Sequence, residues 1–140
     1  MISIISPVLG SSSKVETFIS ALLANTHGQK NILKNIELII IDDGSEVNLE
    51  DTTIAFSEKF NEREWRLVFL RNEINEGRAF SRNRAAKSAS NEWLFFVDID
   101  NLLQQGCLDS LHSMILSCEK PFVARANVRC RQDLTRDSNY

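Results

Sequence analysis

The chain has 140 residues, of which 43% are hydrophobic and 25% charged, with a formal net charge of −3 and a pI near 5.4. These values argue against a disordered segment, a fibrous repeat and a multidomain protein, and lead one to expect a single globular domain large enough to bury a core unaided. The mild acidity also excludes a nucleic-acid-coating surface, which needs a basic excess to neutralise phosphate.

The pattern alternates short β-branched runs with helical stripes, as an α/β sheet does. Ile2–Ser6 is an apolar run ending at Pro7. Ser13 and Glu16 are spaced as a capping box, opening a helix whose stripe is Val15, Phe18, Ile19, Leu22 and Leu23, with Gly28 as its stop. Leu38-Ile39-Ile40-Ile41 is apolar on both faces and predicts a central parallel strand, halted at Asp42-Asp43-Gly44-Ser45. A weaker helix carries Leu49, Thr53, Phe56 and Phe60 on one stripe, and Trp65–Leu70 predicts a third strand ending in Arg71-Asn72. After a turn at Asn75-Glu76-Gly77, residues Arg78–Ser90 predict a helix with Ala85, Ala86 and Ala89 on its packing side. Trp93–Val97 predicts the fourth strand, stopped by Asp98-Ile99-Asp100, and Leu108, Leu111 and Ile115 mark another helix. Phe122–Val128 predicts a fifth strand, and Arg129–Tyr140 is a polar tail without periodicity or a point of truncation.

The N-terminal apolar stretch is too short for a signal peptide or a membrane span, and the odd set Cys107, Cys118 and Cys130 lacks a CxxC pair. A reducing, cytoplasmic location is the expectation. The cysteines, His27 and His112 are read as structural, the cysteines as buried.

In an open α/β sheet, ligands bind beyond the carboxyl ends of the strands. Asp42, Asp43, Asp98 and Asp100 all fall at such ends, and carboxylates massed on one rim repel unless a cation joins them. Oxygen-only donors of this kind suit Mg²⁺ or Mn²⁺. Taken alone, Asp42–Ser45 is equally a plain turn, and Asp98-Ile99-Asp100 is equally a pair of solvated loop carboxylates. Arg82 lies on or beside the alanine stripe, where it snorkels to the surface, pairs with a rim aspartate, or forks onto a phosphate or nucleobase.

The ordered set of Pro7 after the first strand, Ile39-Ile40-Ile41-Asp42-Asp43-Gly44-Ser45, Asn75-Glu76-Gly77 with Ser81-Arg82-Asn83-Arg84-Ala85, and Trp93-Leu94-Phe95-Phe96-Val97-Asp98-Ile99-Asp100 resembles the family 2 glycosyltransferases. The resemblance spans residues 2 to about 128 and implies a GT-A fold: a three-layer α/β/α sandwich with a mainly parallel sheet ordered 3-2-1-4 over its first four strands. Residues 1–128 would form the nucleotide-sugar-binding domain, and 129–140 the tail.

The resemblance further implies a nucleotide-diphospho-sugar donor, usually a UDP-sugar. Pro7 and Val8 would line the base pocket, Asp42 would bond the uracil, Asp43 would belong to the donor site, and Arg82 would reach the nucleotide. Asp98 would lie near the ribose or metal, and Asp100 would hold Mg²⁺ or Mn²⁺ against the diphosphate. A metal there stabilises the charge that develops on the leaving diphosphate. The sequence departs from the family at Val8-Leu9-Gly10-Ser11, where a Thr-Tyr-Asn type turn is usual, and at Asn101, where a further Asp is frequent. No acidic pair follows Asp100 to act as the base that takes the acceptor proton.

Two alternatives stand beside this reading. One is a truncated or degenerate nucleotide-sugar-binding domain without transferase activity. The other is a haloacid-dehalogenase-like phosphatase, which the Asp98-Ile99-Asp100 loop superficially resembles but which would carry that loop after its first strand. The acceptor, a saccharide, lipid or protein, is not specified. A homodimer formed through an exposed sheet edge, and a peripheral location at the inner face of a membrane, complete the expectations.

Overall fold

The computed structural model describes residues 1–25, 35–119 and 123. The elements run β1 (Ile2–Val8), α1 (Ser12–Ala24), β2 (Ile36–Asp42), α2 (Glu50–Ile54), α3 (Ser57–Asn61), β3 (Arg66–Arg71), α4 (Arg78–Ser88), β4 (Trp93–Phe96) and α5 (Cys107–Ser117). Gly28, His27, Cys130, the tail from Arg129 and the expected fifth strand lie outside the described residues. Within that strand only Val123 is described, and it is exposed and in neither helix nor strand.

The four strands form one sheet in the order β3-β2-β1-β4, with all three pairings parallel. This is the expected order. Every residue of β1 and β2 is buried, because helices cover both faces of the parallel layer. On one face, Ile2, Ile4, Val8, Leu38 and Ile40 pack with the α1 stripe Val15, Phe18, Ile19, Leu22 and Leu23, and with Leu49, Phe60 and Leu108. On the other face, Ile5, Ile39 and Ile41 meet Ala85, with Ala86 and Ala89 packed against them. Small side chains let α4 lie close to the strands.

β2 and β3 are tied at both ends. Glu37 stands opposite Arg66 and Asp42 opposite Arg71 in the ladder, and each couple is an ion pair, at 2.8 Å and 3.7 Å respectively.

Five local expectations are corrected. The helix α1 begins at Ser12 with Ser11 as its N-cap, and no side chain caps it; the Ser13–Glu16 box does not form. Three successive serines leave the start ambiguous, and Ser11 Oγ bonds to Ser13 Oγ at 3.1 Å instead of to the backbone. The stripe from Leu49 to Phe60 is two short helices, because Thr52, Thr53 and Ile54 are weak helix formers and the Phe56 amide donates to the Thr53 carbonyl at 3.1 Å, tightening the turn between them. α4 stops at Ser88, with Ala89 extended. The thiols are less buried than expected: Cys107 is half-buried and Cys118 exposed, because Cys107 opens α5 beside its core-facing Leu108 and Cys118 lies past the end of the helix, in extended backbone. Burial nonetheless pushes the Cys107 thiol pKa up. Trp65, expected as the first residue of β3, instead precedes it, buried edge-on against Phe60 at a 5.8 Å ring separation.

Candidate functional site

The site lies at the carboxyl ends of the strands. β1 ends at Val8, directly beside Asp42 in the ladder, and β4 pairs with β1 on the opposite side. The Val97 amide extends that pairing by donating to the Ile5 carbonyl at 3.0 Å. Asp42-Asp43 and Asp98-Ile99-Asp100 therefore flank the end of β1.

Asp42 is fully buried. Its Oδ1 accepts the Ser45 amide at 2.9 Å, closing the turn that Gly44 makes with a φ of +77°. Its Oδ2 is buried without a hydrogen-bond partner, facing the Arg71 guanidinium at 3.7 Å. Arg71 also donates to the Ser45 carbonyl at 2.8 Å, and the Gly10 amide donates to Ser45 Oγ at 3.0 Å, so the turns after β1 and β2 are joined. Pro7 and Val8 are both buried.

Asp43 is 4% exposed. Its carboxylate accepts Asn72 Nδ2 at 2.8 Å, the Glu76 amide at 3.0 Å and the Gly77 amide at 2.9 Å. Burial alone would raise its pKa, but these bonds outweigh it and hold the group below its ordinary value. Asn72 also donates to the buried Ser81 Oγ at 2.8 Å and accepts from Arg84 at 2.5 Å.

Arg82 pairs with Asp98 through Nη2 and Oδ1, the rim-aspartate pairing among the readings left open by the sequence. Arg78, one turn earlier on α4, approaches Asp98 Oδ2 at 3.9 Å. Asp100 is exposed and pairs with Lys14 of α1 at 3.0 Å. Among the described residues no three His, Cys, Asp or Glu side chains are grouped to hold a metal. Mg²⁺ and Mn²⁺ sites commonly use one or two carboxylates and complete their shell with water and substrate phosphate. Half-buried Asp98 and exposed Asp100, on one loop, fit such an ion, and not a closed all-protein cage.

Sequence reasoning passed over Lys14, Asn72, Arg78 and Arg84. Arg71-Asn72 carried a usable signal, a polar pair ending an apolar strand, which is the same signal that marks Asp42 and Asp98. Lys14 and Arg84 have no local signature, because their partners are distant in sequence.

These acidic and basic side chains gather at the carboxyl ends of the strands, and the family model for glycosyl transferase family 2 matches residues 3–137. The chain belongs to this family. Its α/β fold with a 3-2-1-4 parallel sheet is the GT-A fold of its structural neighbours. Among curated relatives, the Escherichia coli protein named UDP-Glc:alpha-D-GlcNAc-diphosphoundecaprenol beta-1,3-glucosyltransferase WfgD is 31% identical over 83% of this chain and 41% of its own length. Glycosyltransferase GlyA of Streptococcus pneumoniae is 25% identical over 82% of this chain and 15% of its own length. The chain thus spans less than half of either relative. Of solved structures, S. aureus TarS in complex with UDP superposes with a TM-score of 0.60 and 26% identity, covering 81% of this chain and 31% of that one. Pyrobaculum calidifontis mannosyltransferase PcManGT, solved with GDP-Man and Mn²⁺, gives a TM-score of 0.66 at 16% identity, over 86% of this chain and 32% of that one. This last likeness is one of fold. No helix among the described residues is long and apolar enough to cross a membrane.

Proposed function

We propose that this family 2 member binds a nucleotide-diphospho-sugar, a UDP-sugar in particular, and takes part in transferring its sugar to an acceptor hydroxyl in polysaccharide biosynthesis. The observation that carries the reading is Asp42 Oδ2, buried beside the end of β1 without a hydrogen-bond partner. A buried acceptor left unmade costs about 1–3 kcal/mol, and the imide N–H of uracil is a donor that satisfies it. The UDP held by the related TarS supports the same choice of nucleotide.

Asp42 has no exposed surface, so the base reaches it once the turn after β1 swings aside; that turn is tied to β2 by the Gly10–Ser45 bond. Pro7 and Val8 then border the base. Arg82 contacts the nucleotide and Asp98 lies near the ribose and metal. Asp98 and Asp100 would hold Mg²⁺ or Mn²⁺ against the diphosphate, where the ion would neutralise charge as the glycosidic bond to phosphate breaks. Arg82 and, farther off, Arg78 face Asp98, Lys14 faces Asp100, and these cations hold the anionic rim together before donor arrives. The same reading puts the protein in the cytoplasm at the inner face of a membrane, with β4, an edge of the sheet among the described residues and with Leu94 and Phe96 exposed, as the strand through which two copies associate.

Calorimetric titration of UDP with and without Mn²⁺ tests the donor assignment. Binding strengthened about tenfold by Mn²⁺, a difference of about 1.4 kcal/mol, is the expected result. Folded protein that binds UDP in neither condition overturns it. Asp100→Ala abolishes the Mn²⁺ dependence; unchanged affinity in Mn²⁺ would remove Asp100 from the metal site.

A further inference from the structure

We propose that Lys14 is a built-in competitor for the divalent ion: its ammonium occupies Asp100 Oδ1 in donor-free protein, and the ion gains that oxygen only by displacing it. The inference deepens the donor-binding reading and rests on it for the ion at Asp98 and Asp100.

Lys14 Nζ stands 3.0 Å from Asp100 Oδ1, on a segment remote from it in sequence. The pairing is not a by-product of helix formation. Acidic partners on one helix lie three or four residues away, and the positions so spaced from Lys14 are Gly10, Ser11, Thr17 and Phe18. Packing fixes the backbone at both ends of the pair: Val15 beside Lys14 and Ile99 beside Asp100 belong to one core cluster, and the Asn101 amide donates to the Asp98 carbonyl at 2.9 Å to close the turn. Only the side chains are left to move.

The charge of the rim is already met. Asp98 faces Arg82 through Oδ1 and Arg78 through Oδ2, and Asp100 faces Lys14, so two carboxylates meet three cations among the described residues. Without donor, then, the rim offers no bare anionic site, and entry of a divalent ion is an exchange with one of these cations.

Lys14 is the one to give way. The Lys14 and Asp100 side chains are 47% and 66% exposed, against 34% and 36% for Arg82 and Asp98, and the more exposed pair is the weaker because water screens it. An ammonium on a flexible stem is also strongly hydrated and recovers its water on release, whereas a guanidinium holds a carboxylate through a planar fork. Lys14 thus sets the affinity of donor-free protein for the ion without belonging to its coordination shell.

The test titrates Mn²⁺ alone into donor-free protein and reads the free ion by its electron paramagnetic resonance signal, for wild type, Lys14→Gln, Lys14→Arg, Lys87→Gln, Asp100→Ala and the double variant Lys14→Gln with Asp100→Ala. Lys87 is exposed in the last turn of α4, so Lys87→Gln makes the same change in net charge at the opposite end of that helix from Arg78. Lys14→Gln is expected to tighten Mn²⁺ binding about fivefold. Lys14→Arg keeps the competitor and leaves binding no tighter than wild type, and Lys87→Gln stays within about twofold of it, the remote charge being screened. In the Asp100→Ala background the gain from Lys14→Gln disappears, because the contested oxygen is gone. A Lys14→Gln affinity within about twofold of wild type, a gain that survives Asp100→Ala, or Mn²⁺ binding by none of the proteins overturns the proposal. UDP affinity without Mn²⁺, measured on the same samples, keeps the two readings apart: its absence in wild type overturns the donor reading, while the Mn²⁺ titrations still decide the role of Lys14.

Discussion

Gly44 shows how closely the loops of the site are fitted. Its φ of +77° suits glycine, and a Cβ added there would meet the Ile74 carbonyl carbon at 2.4 Å and the Asn75 amide nitrogen at 2.6 Å. Both atoms are backbone and cannot rotate aside. Gly44→Ala should destabilise the fold by at least ~2 kcal/mol, from the strained conformation and overpacking together, with urea unfolding as the measurement; a loss under about 0.5 kcal/mol, the range of an ordinary surface change, would contradict the fit. The Asp-Gly-Ser sequence shows the turn in advance, because glycine and a side chain that bonds two or three residues ahead are its chemical requirements. It does not show that the turn's inner wall is a loop thirty residues away. For the same reason Asp42 and Asp43 are alike in sequence and different in place, one with an oxygen left without a hydrogen bond and the other fully engaged by protein donors.

At the scale of elements, α4 carries the site and is the least apolar of the long helices. Its contact with the sheet rests on Ala85, which is fully buried, against Ile5, Ile39 and Ile41. Ala85→Leu should cost about 1–3 kcal/mol by overpacking and push the helix outward, separating Arg82 from Asp98; a crystal structure with α4 unmoved would refute this. By contrast α1 is held by a wide stripe, and Phe18→Ala should cost about 3–5 kcal/mol in the same unfolding assay without altering the Arg82–Asp98 pair. Both stripes are visible from sequence because burial repeats with the helical period. The boundaries are harder to read. Ser11, Ser12 and Ser13 are chemically interchangeable caps, and the break between α2 and α3 depends on the summed weakness of several residues. Neither yields to a single motif.

For the whole molecule, the expected sheet order and the observed one agree, since a strand apolar on both faces can only be central and the motifs come in the family's order. The polar network behind the site was not legible, because it joins Asp43, Asn72, Ser81 and Arg84 across three separate segments. Its effect should appear in acid. Burial acts to raise the carboxyl pKa values of both Glu37 and Asp43, but hydrogen bonds, aided at Glu37 by Arg66, win and lower them from ordinary values of 4.5 and 3.8. Groups depressed on folding add stability that is present above their unfolded pKa and lost as pH falls through the folded one. The urea midpoint should therefore be level above about pH 5 and fall below it, and Glu37→Gln with Asp43→Asn should flatten that fall; an unchanged slope would show that other groups govern it. Glu37 and Asp42, the acids paired across the ladder, have a separate consequence. Between them β2 reads Leu38-Ile39-Ile40-Ile41, where a slip of two residues would exchange one aliphatic side chain for another and go unnoticed by the core. Arg66 and Arg71 are spaced on β3 as the two acids are on β2, and both couples close in one alignment alone. The central strand thus carries its ruler at its ends, one of them inside the proposed donor site, so change at Asp42 would also alter how faithfully the sheet aligns as the chain folds.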